Sequence, residues 1–531
     1  MRLLFVTAFV FSCAAALSAA PTITGVTNAA STLPPGLPNS GVAQGAVFAV
    51  YGSGLGPSTL TQAQSFPLPT TQGLGGTTVT VTVNGVTETC IMIYTVASQI
   101  AAVLPSATPV GMGTVKVSYQ GASGSIAIQV LTAGFGTATL NESGTGPAVV
   151  TDLFYNAITM VNPAHPGDDL ILWGTGLGAV TGDETEPPVP VDLGTGVQVF
   201  IGNQPAVVLY GGRSGDPGLD QINFTVPAGI GGGCKTSIAV QVKGVVGNVT
   251  TMAVAPEGQS TCGDAIGLTT ANLQTAVSTG SLTAANITLY RYGANDDMLE
   301  AAFVTYPLDS LIRSYGGGLG PSIGSCTAFE TLGSSVITDP IQPSGLDTGR
   351  NLVVTGPAGT RGVAENSTGY YATALGPSLT FIKPGSYSVS NDNGGTDIAA
   401  FNWNLTLPAP IGITNLPALI DRSKDLTLTW SNSALFLNVS ILGVSGVPLP
   451  SGQIAYVQFY CTAAASAGQF TIPAVIINLL PLNGYGAPGV PGAAIEIAGV
   501  AGNAFTAGGT PGLDVGVFNA FTYNGGVAVV Q

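Results

Sequence analysis

Apolar residues in this chain come in short runs or in strict alternation. Residues 78–83 read Thr-Val-Thr-Val-Thr-Val, the two-residue period of a strand with one buried face. Asn84-Gly85 follows, the pair best suited to a tight type I′ hairpin. Runs at 47–51, 113–119 and 125–131 predict further strands, and 169–173, 197–202, 206–210, 221–226 and 238–242 repeat the same order. Gly and Pro interrupt almost every window of helical length there, so no helix is expected. Further along, 351–354, 386–389, 425–430 and 456–460 read as strands. Residues 308–312 mix apolar with polar positions and fit neither class. Residues 472–482 contain Pro473 and Pro481, which argues for buried strands over a helix.

One motif occurs twice. Tyr51-Gly52-Ser53-Gly54-Leu55-Gly56 returns as Trp173-Gly174-Thr175-Gly176-Leu177-Gly178, an offset of 174 − 52 = 122. Gln99-Ile100 returns as Gln221-Ile222, and Pro105 as Pro227, at the same offset. Three landmarks in one register define a duplicated module about one domain long. The modules span 21–133 and 134–262, leaving 263–531 as a third region with a candidate break near 408–410. Gly316-Gly317-Gly318-Leu319-Gly320-Pro321 echoes the motif without its spacing landmarks, so it is not read as a third copy. Short strands at regular spacing with turn signals predict an all-β fold: tandem β-sandwiches, then a β-rich C-terminal region.

The order of hydrophobic strand, Gly-x-Gly-Leu-Gly, strand, Asn-Gly turn, Gln-Ile and proline resembles the immunoglobulin-like IPT/TIG module. The tandem is more similar still to a paired-module region of uncharacterised secreted proteins of soil bacteria. The matching segments are Asn28-Ala29-Ala30-Ser31, Asn162-Pro163-Ala164-His165-Pro166-Gly167-Asp168, Pro67-Leu68-Pro69-Thr70-Thr71, and the pair Cys234 and Cys262. The resemblance covers about 22–262 and implies export, an immunoglobulin-like fold and no catalytic residue. The first module departs from it, with Ser98-Gln99-Ile100-Ala101-Ala102-Val103 in place of the Gln-Ile-Asn-Phe kept at Gln221-Ile222-Asn223-Phe224. More weakly, 263–531 resembles the C-terminal β-domains that accompany such modules.

Composition narrows the classes. With 531 residues the chain is too long for one core. Apolar residues make up 45% and charged ones 7%, which excludes disorder of the charged kind. Only 12 Lys+Arg stand against 27 Asp+Glu, for a net charge of −15, and no basic cluster occurs. Nucleic-acid binding, which needs phosphate neutralisation, is thereby excluded, and anionic membranes are disfavoured. Arg2, the apolar run 3–17 and Ser18-Ala19-Ala20 read as a secretory signal over 1–20. Val10-Phe11-Ser12-Cys13 is a poorer lipoprotein-type alternative, because Phe11 is bulky for one. No later transmembrane helix is expected. An outer-membrane barrel is disfavoured by the short, irregularly spaced strands and by a terminus, 527–531, without an aromatic.

Six cysteines less Cys13 leave five. Cys234 and Cys262 flank a hairpin expected at 236–254, Cys326 and Cys461 remain as a candidate pair, and Cys90 is left over. Its strand-like neighbours mark Cys90 as a buried free thiol.

Candidate chemistry is sparse. The glycines Gly52, Gly54, Gly56, Gly174, Gly176 and Gly178 lack the spacing of a dinucleotide loop and read as structural corners of positive φ. His165 is the single histidine, so a multi-histidine zinc site is excluded. Gly320-Pro321-Ser322-Ile323-Gly324 matches a nucleophile elbow, but Pro321 is awkward in that turn and His165 precedes the serine. Asp183, Glu184 and Glu186, and Asp296, Asp297 and Glu300, are acid clusters from which a two-carboxylate glycosidase would draw; the plain alternative is solvated acidic loops. Asn391, Asp392, Asn393 and Asp397 pack oxygen ligands around glycines, as calcium loops do, against an ordinary Asn/Gly turn. Calcium is the one cofactor with a candidate site. Tyr370-Tyr371 and Tyr290-Arg291-Tyr292 are candidates for stacking on sugars, against cross-strand packing, while Trp403 and Trp430 read as core. The expected protein is exported and non-enzymatic, acting at or outside the cell surface in adhesion, scaffolding or ligand binding. The alternative is a carbohydrate-binding or carbohydrate-degrading protein with its site in 263–531. The expected partner is a surface protein or a polysaccharide.

Overall fold

The strand Thr77–Val83 shows how the first module forms. Val79, Val81 and Val83 are buried and the threonines between them half-buried, so one face enters the core while the other stays wet. The chain turns at Asn84 and Gly85, both with positive φ, as a type I′ turn requires, and returns as Val86–Thr89. The computed structural model describes residues 20–531 except 189, 265–267, 293–295, 314–319, 334–341, 392, 432–433 and 488; the expected leader therefore lies outside the described residues, apart from Ala20. Ten strands of the first module make two five-stranded sheets. Phe48, Val50, Leu55, Met92, Ile100 and Val115 pack between them. Cys90 is buried there as a free thiol, and desolvation pushes its pKa up, which keeps it unreactive.

The second module repeats the order with one difference. Gln204–Arg213 pairs through its first residues with Val197–Ile201 and through its later ones with Asp220–Thr225. This strand joins what would be two sheets into one nine-stranded sheet around Phe135, Leu172, Ile222, Phe224 and Val240.

The repeated glycines do two jobs, which corrects the expectation that all six take positive φ. Gly54, Gly176 and Gly178 do so. At Gly52 and Gly174 the neighbouring strand comes too close for a side chain: a Cβ would overlap the Thr22 and Gly136 carbonyl oxygens respectively. At Gly56 a Cβ would overlap Thr95 Oγ1. Gly54 has open space around its missing Cβ, so Gly54→Ala is expected to cost about 1 kcal/mol, the strain of a left-handed residue alone. Gly174→Ala must push two strands apart and is expected to cost about 2 kcal/mol or more, measured by chemical denaturation of the two variants side by side.

Polar contacts set the joint between the modules. Arg213 and Asp220 form a buried ion pair, and Arg213 also donates to the carbonyls of Gly45 (2.8 Å) and Gly178 (3.0 Å). Glu184 accepts from Ser106 N (2.8 Å) and Oγ (2.7 Å).

The C-terminal region is one body. A single run of hydrogen-bonded strands leads from Ser325–Leu332 through Ile454–Ala464, Asn438–Pro448, Ala493–Ala507, Leu513–Val530, Ser281–Tyr292 and Asp296–Pro307 to Tyr370–Pro377 and beyond. Strands from both sides of 408–410 belong to it, and one core holds Phe303, Leu407, Ile411, Phe459, Ile497 and Phe518 together. The expected break at 408–410 therefore separates nothing. Three short helices were not foreseen. Thr270–Thr279 is closed by a Thr269/Asn272 capping box and by Gly280 at φ +79°. Leu308–Arg313 carries an Asp309–Arg313 pair at 2.9 Å. At 472–482 the strand Gln469–Ile472 gives way to the helix Ala474–Ile477, with Pro473 as its N-cap. A proline stops a helix only from within and is harmless at its start. Among the described residues no helix is long and apolar enough to cross a membrane.

Disulfides join Cys234 to Cys262 and Cys326 to Cys461, the latter between directly opposed residues of adjacent strands. The second module docks on the C-terminal region through Asn203 Nδ2 to Gly324 O (3.1 Å) and Lys235 N to Ser322 Oγ (3.0 Å). The first module reaches it too. Leu37 joins the C-terminal core, and Asn39 Nδ2 donates to Glu330 Oε1 at 3.3 Å. Glu330 Oε2 is sealed without a protein partner, and burial pushes the carboxyl from 4.5 up to about 7. Between those values the folded chain keeps a proton that the unfolded chain has lost. Stability therefore falls as pH rises from 4.5 to about 7, and the full penalty persists above it. Glu330→Gln is expected to remove about 2 kcal/mol of that loss, read as the difference between variant and parent in denaturation midpoints at pH 4.5 and 7.5.

Candidate functional site: a cleft over the C-terminal sheet

Strand alternation builds the site. Ile441, Phe459, Ile495, Ile497 and Phe518 point into the core, so their strand neighbours point the other way. Ser440, Leu442, Tyr460, Thr462, Glu496, Ala498, Phe521 and Tyr523 then share one face. Register brings them together: Ser440 lies opposite Thr462 and Ala498, Leu442 opposite Tyr460 and Glu496, and Ala498 opposite Tyr523. Residues at the junction with the second module, including Asp264, Ser322 and Thr270 at the start of its helix, wall the space above. The result is a cleft of about 770 Å³.

Its lining is aromatic, amide and hydroxyl. The Phe521 and Tyr523 rings stack with centroids 6.1 Å apart. Tyr460 meets Phe329 edge-on at 5.7 Å and donates to Gln458 Oε1 at 3.1 Å. Burial, then the Glu496 carboxylate, pushes the Tyr523 hydroxyl up, and burial does the same to Tyr460. Both phenols stay neutral at physiological pH. Asn438 lines the cleft, and its buried Oδ1 has no protein hydrogen-bond partner. Asp264 is already engaged, accepting from Ser322 Oγ at 2.9 Å and Cys234 N at 3.3 Å.

Past Val517, which lines both spaces, the cleft continues into a second hollow of about 460 Å³. Ala284, Ala302, Ala372 and Val515 form its floor, and Leu268, Tyr306 and Leu311 its wall, with Asn286, Glu300 and Asn366 among the polar residues that line it.

The residues singled out from sequence are scattered. Asp297 is fully buried and accepts from the N–H groups of Leu379 (3.2 Å), Phe381 (2.8 Å) and Ile382 (2.8 Å), with Arg291 at 3.4 Å. It anchors a loop. Asp296 and Glu300 sit on the other face of the same strand, four residues or roughly 13 Å apart along the backbone. Tyr290 donates to Glu300. Of the other acid cluster, Glu184 binds Ser106 across the modules and Asp183 accepts from Thr185. Tyr370 and Tyr371 both border the hollow, Tyr370 half-buried and Tyr371 buried in the core, where it bonds Gly349 O. The side chain of Tyr292 lies outside the described residues. Trp430 is buried, with Nε1 donating to Ala465 O at 3.0 Å, and Trp403 is half-buried between Phe401 and Phe505.

Ser322 is a structural pin and does not hydrogen-bond His165, whose Nε2 lies 2.9 Å from Gln259 O. Asn391 is buried and accepts from Phe401 N at 2.7 Å, while its amide donates to Thr348 O and Ala399 O. Asp397 accepts from Asp347 N at 2.7 Å, Asn393 is exposed, and Asp392 lies outside the described residues. Among the described residues no three His, Cys, Asp or Glu side chains gather as a metal site.

No protein-family model matches the chain, and no curated protein sequence does. Solved structures that are similar include the Plexin A4 extracellular region, at 16% identity and TM-score 0.15 over 43% of this chain and 17% of that one. The surface layer protein SbsC, domains 1–6, is similar at 11% identity and TM-score 0.19, over 97% of this chain and 55% of that one. SGBP-B from a complex xyloglucan utilization locus in Bacteroides uniformis is similar at 13% identity and TM-score 0.18, over 84% and 100%. Likeness at this level carries no argument about fold or activity. The chain itself is all-β, with two tandem β-modules ahead of a large C-terminal β-domain.

Proposed function

We propose that the chain is an exported, non-enzymatic binding protein of the cell surface or its surroundings, built on IPT/TIG-like paired modules. Its ligand is a neutral polysaccharide segment held in the cleft of the C-terminal domain. The cleft lining supports this reading most directly. Stacked rings suit the C–H faces of sugars, and amides with hydroxyls suit a ligand rich in hydroxyl donors and acceptors. The scarcity of basic residues argues against a phosphorylated ligand. Two disulfides fit an oxidising compartment. Of the two carboxylates that line the cleft, Asp264 is already engaged by Ser322 Oγ, which favours binding over hydrolysis.

The test is retention of the chain on a polysaccharide array, with and without calcium, reading bound protein and released sugar together. Tyr523→Ala is expected to weaken retention about tenfold, in line with losing one ring contact of ~1–1.5 kcal/mol. Released sugar that disappears in Glu496→Gln would overturn the non-enzymatic reading. Absence of retention on every glycan would overturn the glycan reading and leave adhesion to a protein.

A further inference from the structure

We infer that the ligand is amphipathic: a sugar carrying an alkyl or acyl chain, with the sugar in the cleft and the chain in the adjoining hollow. This rests on the glycan reading above and adds the chemistry of its second half. Both spaces lie on one face of one sheet and meet at Val517. From Val515 to Tyr523 they follow a single strand for roughly 27 Å. The lining becomes more apolar along that path towards Val515. At the Tyr523 end the lining offers rings, amides and hydroxyls, whereas at the Val515 end the floor is alanine and valine and the wall leucine and tyrosine, with polar residues such as Asn286, Glu300 and Asn366 beside them.

Alanines make the hollow. On strands Ser281–Tyr292, Asp296–Pro307 and Tyr370–Pro377 the outward positions Ala284, Ala302 and Ala372 are small where larger residues would fill the space. An unsubstituted polysaccharide laid across both halves would strip water from hydroxyls over this floor without replacing their hydrogen bonds, which is costly. A plain alkyl chain would leave the amides and hydroxyls of the other half unused. A chain-bearing sugar satisfies both, because each methylene brought onto the apolar floor adds up to ~0.8 kcal/mol.

Matched methyl and octyl glycosides of glucose, galactose and mannose, used below micelle concentration, test this by isothermal titration with the full chain. At least one octyl glycoside is expected to bind about tenfold or more tightly than its methyl counterpart, the equivalent of roughly two buried methylenes. Ala302→Trp should erase that advantage while leaving methyl glycoside binding in place. Ala372→Met is the second variant should the first fail to fold, and the melting temperature of each reports on folding. Tyr523→Ala should weaken both glycosides. Equal affinity for a methyl and octyl pair would overturn the inference and leave the glycan reading standing. Octyl phosphocholine binding as tightly as the octyl glycosides would also overturn it, since the sugar would then play no part. If no glycoside binds, with or without the chain, the inference and the glycan reading fall together. A parallel arm with phosphatidylcholine vesicles, with and without galactolipid, separates sources: binding to galactolipid vesicles points to a membrane glycolipid, and binding to soluble octyl glycoside alone points to a free acylated sugar.

Discussion

Replacing Asp220 with alanine is expected to cost about 3–5 kcal/mol of folding free energy, the usual consequence of leaving a buried charge without its partner. Arg213 is 2% exposed and Asp220 fully buried. Asp220 also accepts from the N–H groups of Gly176 (2.7 Å) and Leu177 (2.8 Å), so the substitution strands two backbone donors as well as the guanidinium. Because Arg213 reaches Gly45 O in the first module, the loss should appear in both modules. Differential scanning calorimetry of the full chain should show their transitions moving down together. The pair Arg213→Met with Asp220→Leu should recover part of the loss, since an apolar pair of similar volume avoids the desolvation cost. A loss under about 1 kcal/mol in the single variant would show that water reaches the joint.

The second large effect concerns Cys326 and Cys461. Their bridge closes 135 residues, against 28 for Cys234 and Cys262. On the chain-entropy account the longer loop contributes about 5 kcal/mol and the shorter about 3.5 kcal/mol. The double serine variant at Cys326 and Cys461 is therefore expected to lose more stability in urea than the one at Cys234 and Cys262. The reverse order would mean that residual structure in the unfolded chain, rather than loop length, sets the contribution of each bridge.

Local signals carried the fold well. The Thr-Val alternation of 78–83 and the Asn84-Gly85 turn are written in consecutive residues, and the repeated glycines mark equivalent corners at the two strand ends. The cleft was not legible in the same way. Tyr460, Glu496 and Tyr523 are far apart in sequence, and only the pairing order of their strands places them on one wet face. Parity could have sorted Tyr370 from Tyr371 and Asp296 from Asp297, since neighbours on a strand never share a face. It could not have said which face was the core, because that depends on pairing between distant segments. The helix Leu308–Arg313 stayed ambiguous because six residues are too few to establish a period.

The position of Leu513–Val530 has a consequence for timing. It lies between Ala493–Ala507 and Ser281–Tyr292, and Ala284 pairs with Val515, a separation of 231 residues. Ribosomes add roughly 5–20 residues per second, so the partner of Ser281–Tyr292 is synthesised on the order of ten seconds or more after it. Contacts this distant along the chain also place the domain among slow folders, on the order of milliseconds to seconds even once complete. Until then one edge of Ser281–Tyr292 presents unmet backbone hydrogen-bonding groups, and the nascent chain is at its most prone to pair with a neighbour.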